Sequence, residues 1–539
     1  MRTWTTRPMP WTKTKDLLRP AAVFLFFLVP SVGRAMESLP LYLLLLPLLA
    51  IAPFLWLNRR RTPAIRLPPS PWALPVLGHL HHLARDLPHR AMRDLARRHG
   101  PLVMLRLGGL PVVVASSADA AREVMVSRDV DFASRHMSRM VRLSIAPGAE
   151  GIIFAPYCDE WRQLRKICTV ELLSARRVRS FRPVREEEAG RLLCAVAASA
   201  SRGTVNLSEL LSAYATDSSV RAVLGSRLKN RDAFLALLQR GTKLFSGMSL
   251  PDLYPSSRLA MVVSGMPRRI KQHRQELAAF MDDVVREHHQ DRQTNDEEEE
   301  DLLDVLLRIQ RQGDLQFPLS TDNIKSAVGD MFAGGSDTAA TTLQWAMSEL
   351  VRNPRAMRKA QDEVRLALAG QPTVTEASLA DLNYLRLVVK EALRLHPPAP
   401  LLLPRECRSD GCRVLGYDVP KGTMVLVNAW AISRDPANWD AAEEFMPERF
   451  ERGEAADFRG ADMEYTPFGA GRRMCPGMAF GLANVELALA GLLYHFDWEM
   501  PGGAGVGEEL DMAEEMGVTV HRRNDLVLVP VVRVPVPPI

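Results

Sequence analysis

The spacing of apolar and polar residues predicts several helices and at least one β-hairpin. The longest apolar helical pattern covers residues 321–351, and a second one, over residues 479–493, has the composition of a buried helix. Residues 90–98 follow the pattern of a charged amphipathic helix. Two short apolar runs on either side of Gly108-Gly109 have the turn residues of a hairpin.

An apolar stretch near the start predicts a membrane anchor. Residues 39–57 carry no charge, and their 19 residues are just enough for a helix that crosses a bilayer. Three arginines follow at 59–61, and the positive-inside rule then places the rest of the chain in the cytoplasm. A cleaved signal peptide is the alternative, although no small-residue cleavage pattern follows. Residues 58–78 are basic and then proline-rich, which predicts a semi-rigid hinge after the anchor.

The segment before the anchor allows two interpretations. Residues 1–38 are basic, rich in hydroxyl groups and poor in acids, as in an organelle transit peptide. Met36 would equally begin an ordinary anchored chain, and we favour this over-extended start over a transit peptide. A genuine transit peptide would direct the chain to a plastid.

Composition excludes some classes of protein. The 539 residues are 47% hydrophobic and 24% charged, which is typical of a globular core. A net charge of +5 is compatible with an anionic membrane surface or an acidic redox partner. We expect no nucleic-acid partner, because no stripe of Lys and Arg with interleaved aromatic residues occurs. The six cysteines include no C-x-x-C pair, which argues against a zinc site and a disulfide framework.

The main candidate for chemistry is the cysteine within residues 465–478, YTPFGAGRRMCPGM. Gly469, Gly471 and Gly477 let the backbone turn tightly. Cys475 would lie at the N-terminus of the predicted buried helix, where the helix dipole favours a thiolate. Such a thiolate serves as a nucleophile or as a metal ligand, whereas the plain alternative is a buried free cysteine.

Three other patterns carry candidate chemistry. Residues 333–338, AGGSDT, place two glycines and two small polar residues in the middle of the longest helix. The glycines cost on the order of 1–2 kcal/mol relative to alanine, so close helix packing or a function is expected there. Trp161 and Arg165 share one helix face, and Glu391 and Arg394 are spaced as a helix-surface pair.

The stretch around Cys475 matches F-x-x-G-x-R-x-C-x-G and resembles the haem-binding signature of the cytochrome P-450 family. The resemblance implies that Cys475 is the axial ligand of the haem iron, since a thiolate ligand favours O–O cleavage. It also implies that Arg473 pairs with a haem propionate, that Phe468 tunes the thiolate, and that Gly469 and Gly477 belong to the haem-binding loop.

The helical pattern at 333–338 is similar to the family's oxygen-binding segment. By that match Thr338 would hydrogen-bond the bound oxygen and Asp337 would deliver protons through ordered water. Ala339 stands where many family members have a second Thr or Ser, which puts the proton relay in doubt. The segment from Trp161 to Arg165 resembles the family's W-x-x-x-R motif, whose two residues contact a haem propionate.

Downstream, Glu391 and Arg394 match the family's E-x-x-R motif, and P-E-R-F supplies Arg449. The resemblance implies a buried triad of these three residues that braces the haem side, and it makes Arg405 a further propionate partner. The implied fold class is mainly α with small β-sheets, in one catalytic domain over residues 79–539 behind the anchor.

The implied function is a membrane-anchored monooxygenase that contains haem b and inserts one oxygen atom of O2 into a lipophilic small molecule. The class of substrate would be a terpenoid, fatty or phenolic specialised metabolite. Electrons would come from NADPH through a separate reductase, since the chain has no glycine-rich dinucleotide motif of its own. The family's microsomal members imply a single-pass protein of the endoplasmic-reticulum membrane. The candidate pocket residues, placed by their offset from the motifs, are Phe332, Ala333, Gly334, Ala399, Leu401, Leu402 and Val518.

Two other classes of function stay open from the sequence. A family member can rearrange a pre-oxidised substrate as an isomerase or dehydratase without O2, although Asp337 and Thr338 would then be unnecessary. A non-enzymatic haem sensor or electron carrier is the other, although carriers tend to have two protein ligands on the iron.

Overall fold

The helices and strands that follow are those of a computed structural model. It describes residues 65–538 apart from 202, 226–229, 246–248, 295–299, 452–455, 504–509 and 518. The predicted extension, the anchor and the first part of the hinge, up to residue 64, lie outside the described residues, as does the candidate pocket residue Val518. From Arg66 onward the chain forms one unit.

Helices make up most of the described chain, and the family's α-rich fold class is confirmed. The α-helices are α1 Leu80–Leu83, α2 Pro88–His99, α3 Ala118–Arg122, α4 Asp129–Phe132, α5 Arg139–Ser144, α6 Gly151–Phe154, α7 Asp159–Ile167, α8 Ala175–Ser180, α9 Arg182–Ala200, α10 Leu207–Leu224, α11 Arg231–Phe245, α12 Leu250–Leu253, α13 Arg258–Val263, α14 Met266–Thr294, α15 Leu302–Gln312, α16 Thr321–Arg352, α17 Pro354–Ala367, α18 Asn383–Leu395, α19 Ala429–Ile432 and α20 Met478–His495. Short 3₁₀ and π turns occupy Glu123–Ser127, Cys168–Leu172, Glu376–Asp381, Pro447–Phe450, Gly471–Arg473 and Pro501–Gly503.

The strands form small sheets beside the helices. They are β1 Leu102–Leu107, β2 Leu110–Ala115, β3 Ser134–Arg135, β4 Val205–Asn206, β5 Arg405–Glu406, β6 Arg413–Val414, β7 Tyr417–Asp418, β8 Met424–Val427, β9 Phe496–Glu499, β10 Glu514–Met516, β11 Val520–Arg522 and β12 Val527–Val532. The largest sheet has the order β1-β2-β8-β5-β3, in which only β2 and β8 run parallel. A three-stranded sheet has the order β4-β12-β9, and β6-β7 and β10-β11 are two-stranded. The predicted hairpin is β1–β2, which turns at Gly108-Gly109.

The central helix α16 begins and ends at sequence signals. Ser320 and Asn323 form a reciprocal capping box at its N-terminus, and Pro354 follows its C-terminal cap at Asn353. Its second half, residues 339–351, is buried throughout, against α10, α18 and α20. The prediction from the apolar pattern, 321–351, misses only the last residue.

The second long apolar helix, α20, lies in the protein core. Residues 484–495 are buried except for a half-buried Glu486. Among the described residues α20 alone is long and apolar enough to cross a membrane, but 67% of its apolar window is buried inside the protein. We therefore assign its apolar character to the core.

The described part of the hinge is fixed to the first strand. Leu74 and Gly78 pair with one another, and Gly78 also pairs with Leu107. Gly78 has a φ of +61°, and a Cβ there would lie 2.0 Å from the carbonyl oxygen of Arg106. Only glycine fits this position, so the chain enters the catalytic body in one defined direction.

Candidate functional site

The loop before α20 presents Cys475 in a tight turn. The amide of Cys475 donates to the carbonyl of Phe468 at 3.0 Å and closes the loop. Gly471 has a φ of +67°, and a Cβ there would lie 1.9 Å from the carbonyl oxygen of Met125. The loop can therefore pack against the turn that contains Met125 only with glycine at this position.

The Cys475 side chain is exposed, yet it lies deep inside the protein. Burial is the largest influence on its thiol and raises its pKa, although the amide of Gly477 and the charge of Arg165 act in the opposite direction. Its accessible surface therefore faces an internal cleft and not bulk water. In the protein alone the desolvation of the sulfur outweighs the helix and the arginine, so a thiolate at Cys475 stays a prediction.

Helix α16 exposes one stretch in its middle. Ala333, Gly334 and Asp337 are exposed, although residues 339–351 of the same helix are buried. A Cβ on Gly335 would lie 3.8 Å from the ring of Phe480, five residues after Cys475. The exposed stretch of α16 and the cysteine loop therefore border the same region.

The acid and the alcohol of α16 are both hydrogen-bonded. The hydroxyl of Thr338 donates to the carbonyl of Gly334 at 2.6 Å, one turn earlier. Oδ2 of Asp337 accepts from the hydroxyl of Thr519 at 2.5 Å. Thr519 follows the candidate pocket residue Val518, but nothing in the sequence indicates its contact with Asp337.

Four arginines crowd together beside the cysteine loop. They are Arg135, Arg165, Arg405 and Arg473. Burial lowers the pKa of each, and repulsion from neighbouring arginines adds to the effect at Arg135 and Arg473, where the pKa of Arg473 falls to about 9. One carboxylate, Asp129, pairs with this group, 3.1 Å from Nη1 of Arg405.

Several donors of these arginines bind carbonyl groups of the chain. Arg473 donates to the carbonyls of Ala133 at 2.6 Å and Ile152 at 3.1 Å, and its guanidinium stacks 4.0 Å from the ring of Trp161. The indole of Trp161 also donates to Ile152, at 3.0 Å. The carbonyl of Ile152 thus accepts hydrogen bonds from one residue of the haem motif, Arg473, and one of the W-x-x-x-R motif, Trp161.

Arg165 reaches the cysteine loop directly, because its guanidinium donates to the carbonyl of Met474. Arg135 donates from Nη1 to the carbonyl of Leu403 at 2.8 Å, while its Nε is buried without a hydrogen-bond partner.

These features fit a haem group. The porphyrin ring needs a wide internal cleft, and a Cβ on Gly334 or Gly477 would meet nothing within 4 Å. Two propionates would add two negative charges, which matches a buried excess of guanidinium over carboxylate. The thiol of Cys475 faces the interior, where an axial ligand is needed.

Sequence reasoning missed two residues of this region. Arg135 belongs to no motif that we recognised, and only its position in space shows that it joins the arginines. Asp330 lies one turn before Gly334 and accepts from the amides of Ile152 at 2.7 Å and Ile153 at 3.1 Å. Burial raises the pKa of Asp330 to about 7. No local pattern marks such a residue, since its partners are far away in sequence.

The triad predicted from E-x-x-R and P-E-R-F is brought together. Arg394 binds Glu391 through Nε at 2.7 Å and Nη2 at 2.9 Å, and Nε of Arg449 lies 3.0 Å from Oε1 of Glu391. The hydroxyl of Tyr465, at the start of the cysteine loop, donates to the carbonyl of Lys390 at 2.6 Å. The triad and the cysteine loop are therefore both attached to helix α18.

The candidate pocket residues divide into two groups. Ala333 and Gly334 are exposed, and Ala399 and Leu402 are half-buried. Phe332 and Leu401 are buried, and their place in the pocket stays a prediction. Phe332 is fully buried with its ring 5.0 Å from that of Phe234, because it lies one helical position away from the exposed stretch of α16. Leu401 is buried in the cluster beside the large sheet.

Comparison with known proteins agrees with this arrangement. The family model for cytochrome P-450 matches residues 68–529. Desmethyl-deoxy-podophyllotoxin synthase of Sinopodophyllum hexandrum is 48% identical over 472 residues, which is 87% of this chain and 92% of the relative. Dolabradiene monooxygenase of Zea mays is 47% identical over 476 residues, 87% of this chain and 93% of the relative. Premnaspirodiene oxygenase of Hyoscyamus muticus is 46% identical over 468 residues, 86% of this chain and 92% of the relative.

The fold and the site define a haem-thiolate monooxygenase that acts on a lipophilic small molecule. The chain belongs to the cytochrome P-450 family, whose members use haem b and O2 and receive electrons from NADPH through a reductase.

The triad provides a stability prediction. We expect Glu391→Gln to destabilise the protein by about 3–5 kcal/mol, because it leaves two buried guanidinium groups without their carboxylate. Glu451→Gln is the control, since Glu451 is 50% exposed and pairs only with exposed groups at the surface. Its effect should stay within about 0.5 kcal/mol. Chemical unfolding followed by circular dichroism measures both, and equal stabilities for the two variants would contradict the structural role of Glu391.

Proposed function

We propose that Cys475 is the axial ligand of the haem iron and that the enzyme hydroxylates a terpenoid-like hydrocarbon. The observation that carries the proposal is a thiol that faces an internal cleft bordered by the exposed acid–alcohol stretch of α16. The arginine cluster supports it, since Arg135, Arg165, Arg405 and Arg473 would bind the two propionates.

The chain's own residues then have separate roles in the reaction. Bound haem supplies the redox chemistry that activates O2. Arg165 and Gly477 offset the desolvation of the Cys475 sulfur, and the charge of the iron completes the stabilisation of a thiolate. Thr338, whose proton is engaged by Gly334, can accept a hydrogen bond at Oγ1 from a group in the cleft. Asp337 holds a carboxylate at the edge of the cleft that can take up a proton from solvent and pass it inward.

The substrate class follows from the wall of the cleft and from the relatives. Ala333 and Gly334 expose small surfaces without polar side-chain atoms, which favour an apolar ring system over a charged substrate. Two relatives are named for dienes, which are hydrocarbons. Desmethyl-deoxy-podophyllotoxin synthase, at a similar identity, is not named for a diene, so the phenolic class expected from the sequence stays the second candidate.

Turnover in the presence of oxygen-18 tests this function. Purified chain, a reductase and NADPH should incorporate one oxygen-18 atom into a terpenoid hydrocarbon, and a phenolic substrate is tested in parallel. Cys475→Ala should lose both product and the strongly red-shifted band of the ferrous carbon-monoxide spectrum, because the thiolate ligand is gone. Cys194→Ser, at a half-buried cysteine outside the site, should keep both.

Product formed without O2 and NADPH would contradict the monooxygenase and support the isomerase. A haem spectrum that lacks the red-shifted band in the unaltered chain would exclude Cys475 as ligand.

The electron donor needs a surface close to Cys475, and we propose a basic groove on α7 for it. The groove is lined by Tyr157, Trp161, Arg162, Arg165, Lys166, Thr169 and Arg472. Its floor is Arg165, which contacts the residue next to Cys475. An NADPH–cytochrome P-450 reductase with an acidic docking face would fit the exposed cations Arg162, Lys166 and Arg472.

Charge reversal tests the docking surface. Lys166→Glu should slow electron transfer from the reductase by about tenfold at low ionic strength, with less difference at high salt, because salt screens exposed charges. Arg358→Glu reverses an equally exposed charge on α17, away from the groove, and should have little effect. Stopped-flow reduction under carbon monoxide measures both rates, and equal effects of the two variants would exclude the groove.

We further propose that the chain is a single-pass protein of the endoplasmic-reticulum membrane with its catalytic domain, residues 79–539, in the cytosol. Exposed apolar side chains on the hinge and on α13 support contact with a bilayer. They are Trp72, Val76, Leu259, Val262 and Val263. The hydroxyl of Tyr254 donates to the carbonyl of Val76 at 3.4 Å, which joins the hinge to the segment before α13.

Glycosylation reports the orientation of the chain in microsomes. Asn206-Leu207-Ser208 is an acceptor sequence that should stay unmodified in the cytosol. In the chain expressed from Met1, Trp4→Asn creates a second acceptor sequence before the predicted anchor, and it should be glycosylated in the lumen. Gel mobility before and after deglycosylation distinguishes the two sites. Modification of Asn206 would reverse the proposed topology, and import into isolated plastids would support a transit peptide instead.

A further inference from the structure

A short chain of hydroxyl groups leads to the carboxylate of Asp337. Thr341 donates to Oγ1 of Thr519 at 3.4 Å, and Thr519 donates to Oδ2 of Asp337 at 2.5 Å. Thr341 is only 2% exposed and Thr519 only 3% exposed, whereas Asp337 is exposed to the cleft. The carboxylate is therefore held from its protein side by a buried donor.

Thr519 comes from the β10–β11 hairpin, and its position is fixed by the next residue. The amide of Val520 donates to the carbonyl of Pro398 at 2.9 Å, and the indole of Trp345 donates to the carbonyl of Val520 at 3.0 Å. Trp345 lies on α16, two turns after Asp337. The hairpin thus contacts α16 at several points, and one of them is the acid.

The base of the hairpin is held by a buried ionic group. Glu514 accepts from Nη2 of Arg90 at 2.9 Å and pairs with His89 at 3.1 Å. Burial opposes its charge, but His89 and Arg90 outweigh this effect and lower the pKa of Glu514 to about 2. Its carboxylate therefore stays ionised at neutral pH, and the ion pairs that hold the hairpin in place persist.

One hydroxyl group expected in the proton relay is missing from the sequence, because Ala339 stands where many family members have Thr or Ser. Ala339 is 4% exposed and lies in the core cluster. The hydroxyl group nearest to the acid is supplied by Thr519, from a different part of the chain.

We propose that Thr519 is a positioning residue for Asp337, which it holds in one orientation beside Thr338 at the edge of the cleft. The proposal rests on the role given to Asp337 in the proposed function. A carboxylate held by one hydrogen bond exchanges protons at one place, whereas a free carboxylate spends part of its time out of reach of Thr338. Poorly timed proton delivery releases reduced oxygen as hydrogen peroxide in place of product.

Two conservative variants separate the hydroxyl group from the shape of the side chain. Thr519→Val keeps the shape and loses the donor, and Thr519→Ser keeps the donor and loses a methyl group. We expect Thr519→Val to lower the ratio of product to consumed NADPH by about tenfold, with peroxide rising and KM nearly unchanged. In Thr519→Ser the ratio of product to consumed NADPH should stay close to that of the unaltered chain. The reverse order of the two variants would show that Thr519 acts by packing alone and would overturn the proposal.

An infrared measurement checks the contact without turnover. The carboxylate bands of Asp337 are isolated by subtracting the spectrum of Asp337→Asn. They should shift in Thr519→Val and stay in place in Thr519→Ser, because only the first loses the hydrogen bond. Unshifted bands in Thr519→Val would also overturn the proposal. Should Thr519→Val fail to fold, Thr519→Ala against Thr519→Ser makes the same comparison.

The two measurements keep the proposals apart. A chain that forms no oxygenated product with any substrate contradicts the proposed function, while the infrared bands still decide whether Thr519 holds Asp337.

Discussion

The fully buried pair of Arg394 and Glu391 is the contact on which the frame of the site depends. A buried charge is costly unless every donor is satisfied, and all five N–H groups of Arg394 are. Two bind Glu391, and the other three bind backbone carbonyls of residues 433–444. One side chain thus joins α18 to a long irregular segment that has little regular hydrogen bonding of its own. The cysteine loop comes later in the chain and is attached to the same helix through Tyr465.

The arginines beside the cysteine loop, unlike Arg394, are not matched by an equal number of carboxylates in the part of the chain that the structure describes. Arg394 is matched by a carboxylate, but the group that contains Arg135 and Arg473 has only Asp129 among the described residues near it. Burial lowers the pKa of Arg473, and the like charges of Arg405 and Arg165 in the same low-dielectric interior lower it further. A dianionic ligand would relieve this repulsion. Binding of the haem propionates should therefore stabilise the folded protein through charge.

The sequence predicted those parts of the structure that local rules determine. The bounds of α16 follow from apolar spacing and a capping box, and the haem and E-x-x-R motifs have short, fixed spacings. The place of Arg135 among the arginines and the contact of Thr519 with Asp337 could not be found in this way, because the partners lie far along the chain and are brought close only by the sheet and the hairpin. The desolvation of Cys475 and the complete burial of Phe332 could not be predicted either, since both depend on the whole interior and not on a local pattern.

The two glycines in the middle of α16 serve different purposes, one for close helix packing and one for function. Gly335 serves close packing, since a Cβ there would lie 2.8 Å from Oγ of Ser219 on α10. Gly334 has nothing near it, and its carbonyl accepts the hydroxyl of Thr338. A side chain at Gly334 would project into open space and so would narrow the cleft, whereas one at Gly335 would push two core helices apart. Gly335 is thus needed for helix packing and Gly334 for access to the site. Together the two glycines destabilise the helix by about 1–2 kcal/mol, which the burial of the second half of α16 offsets.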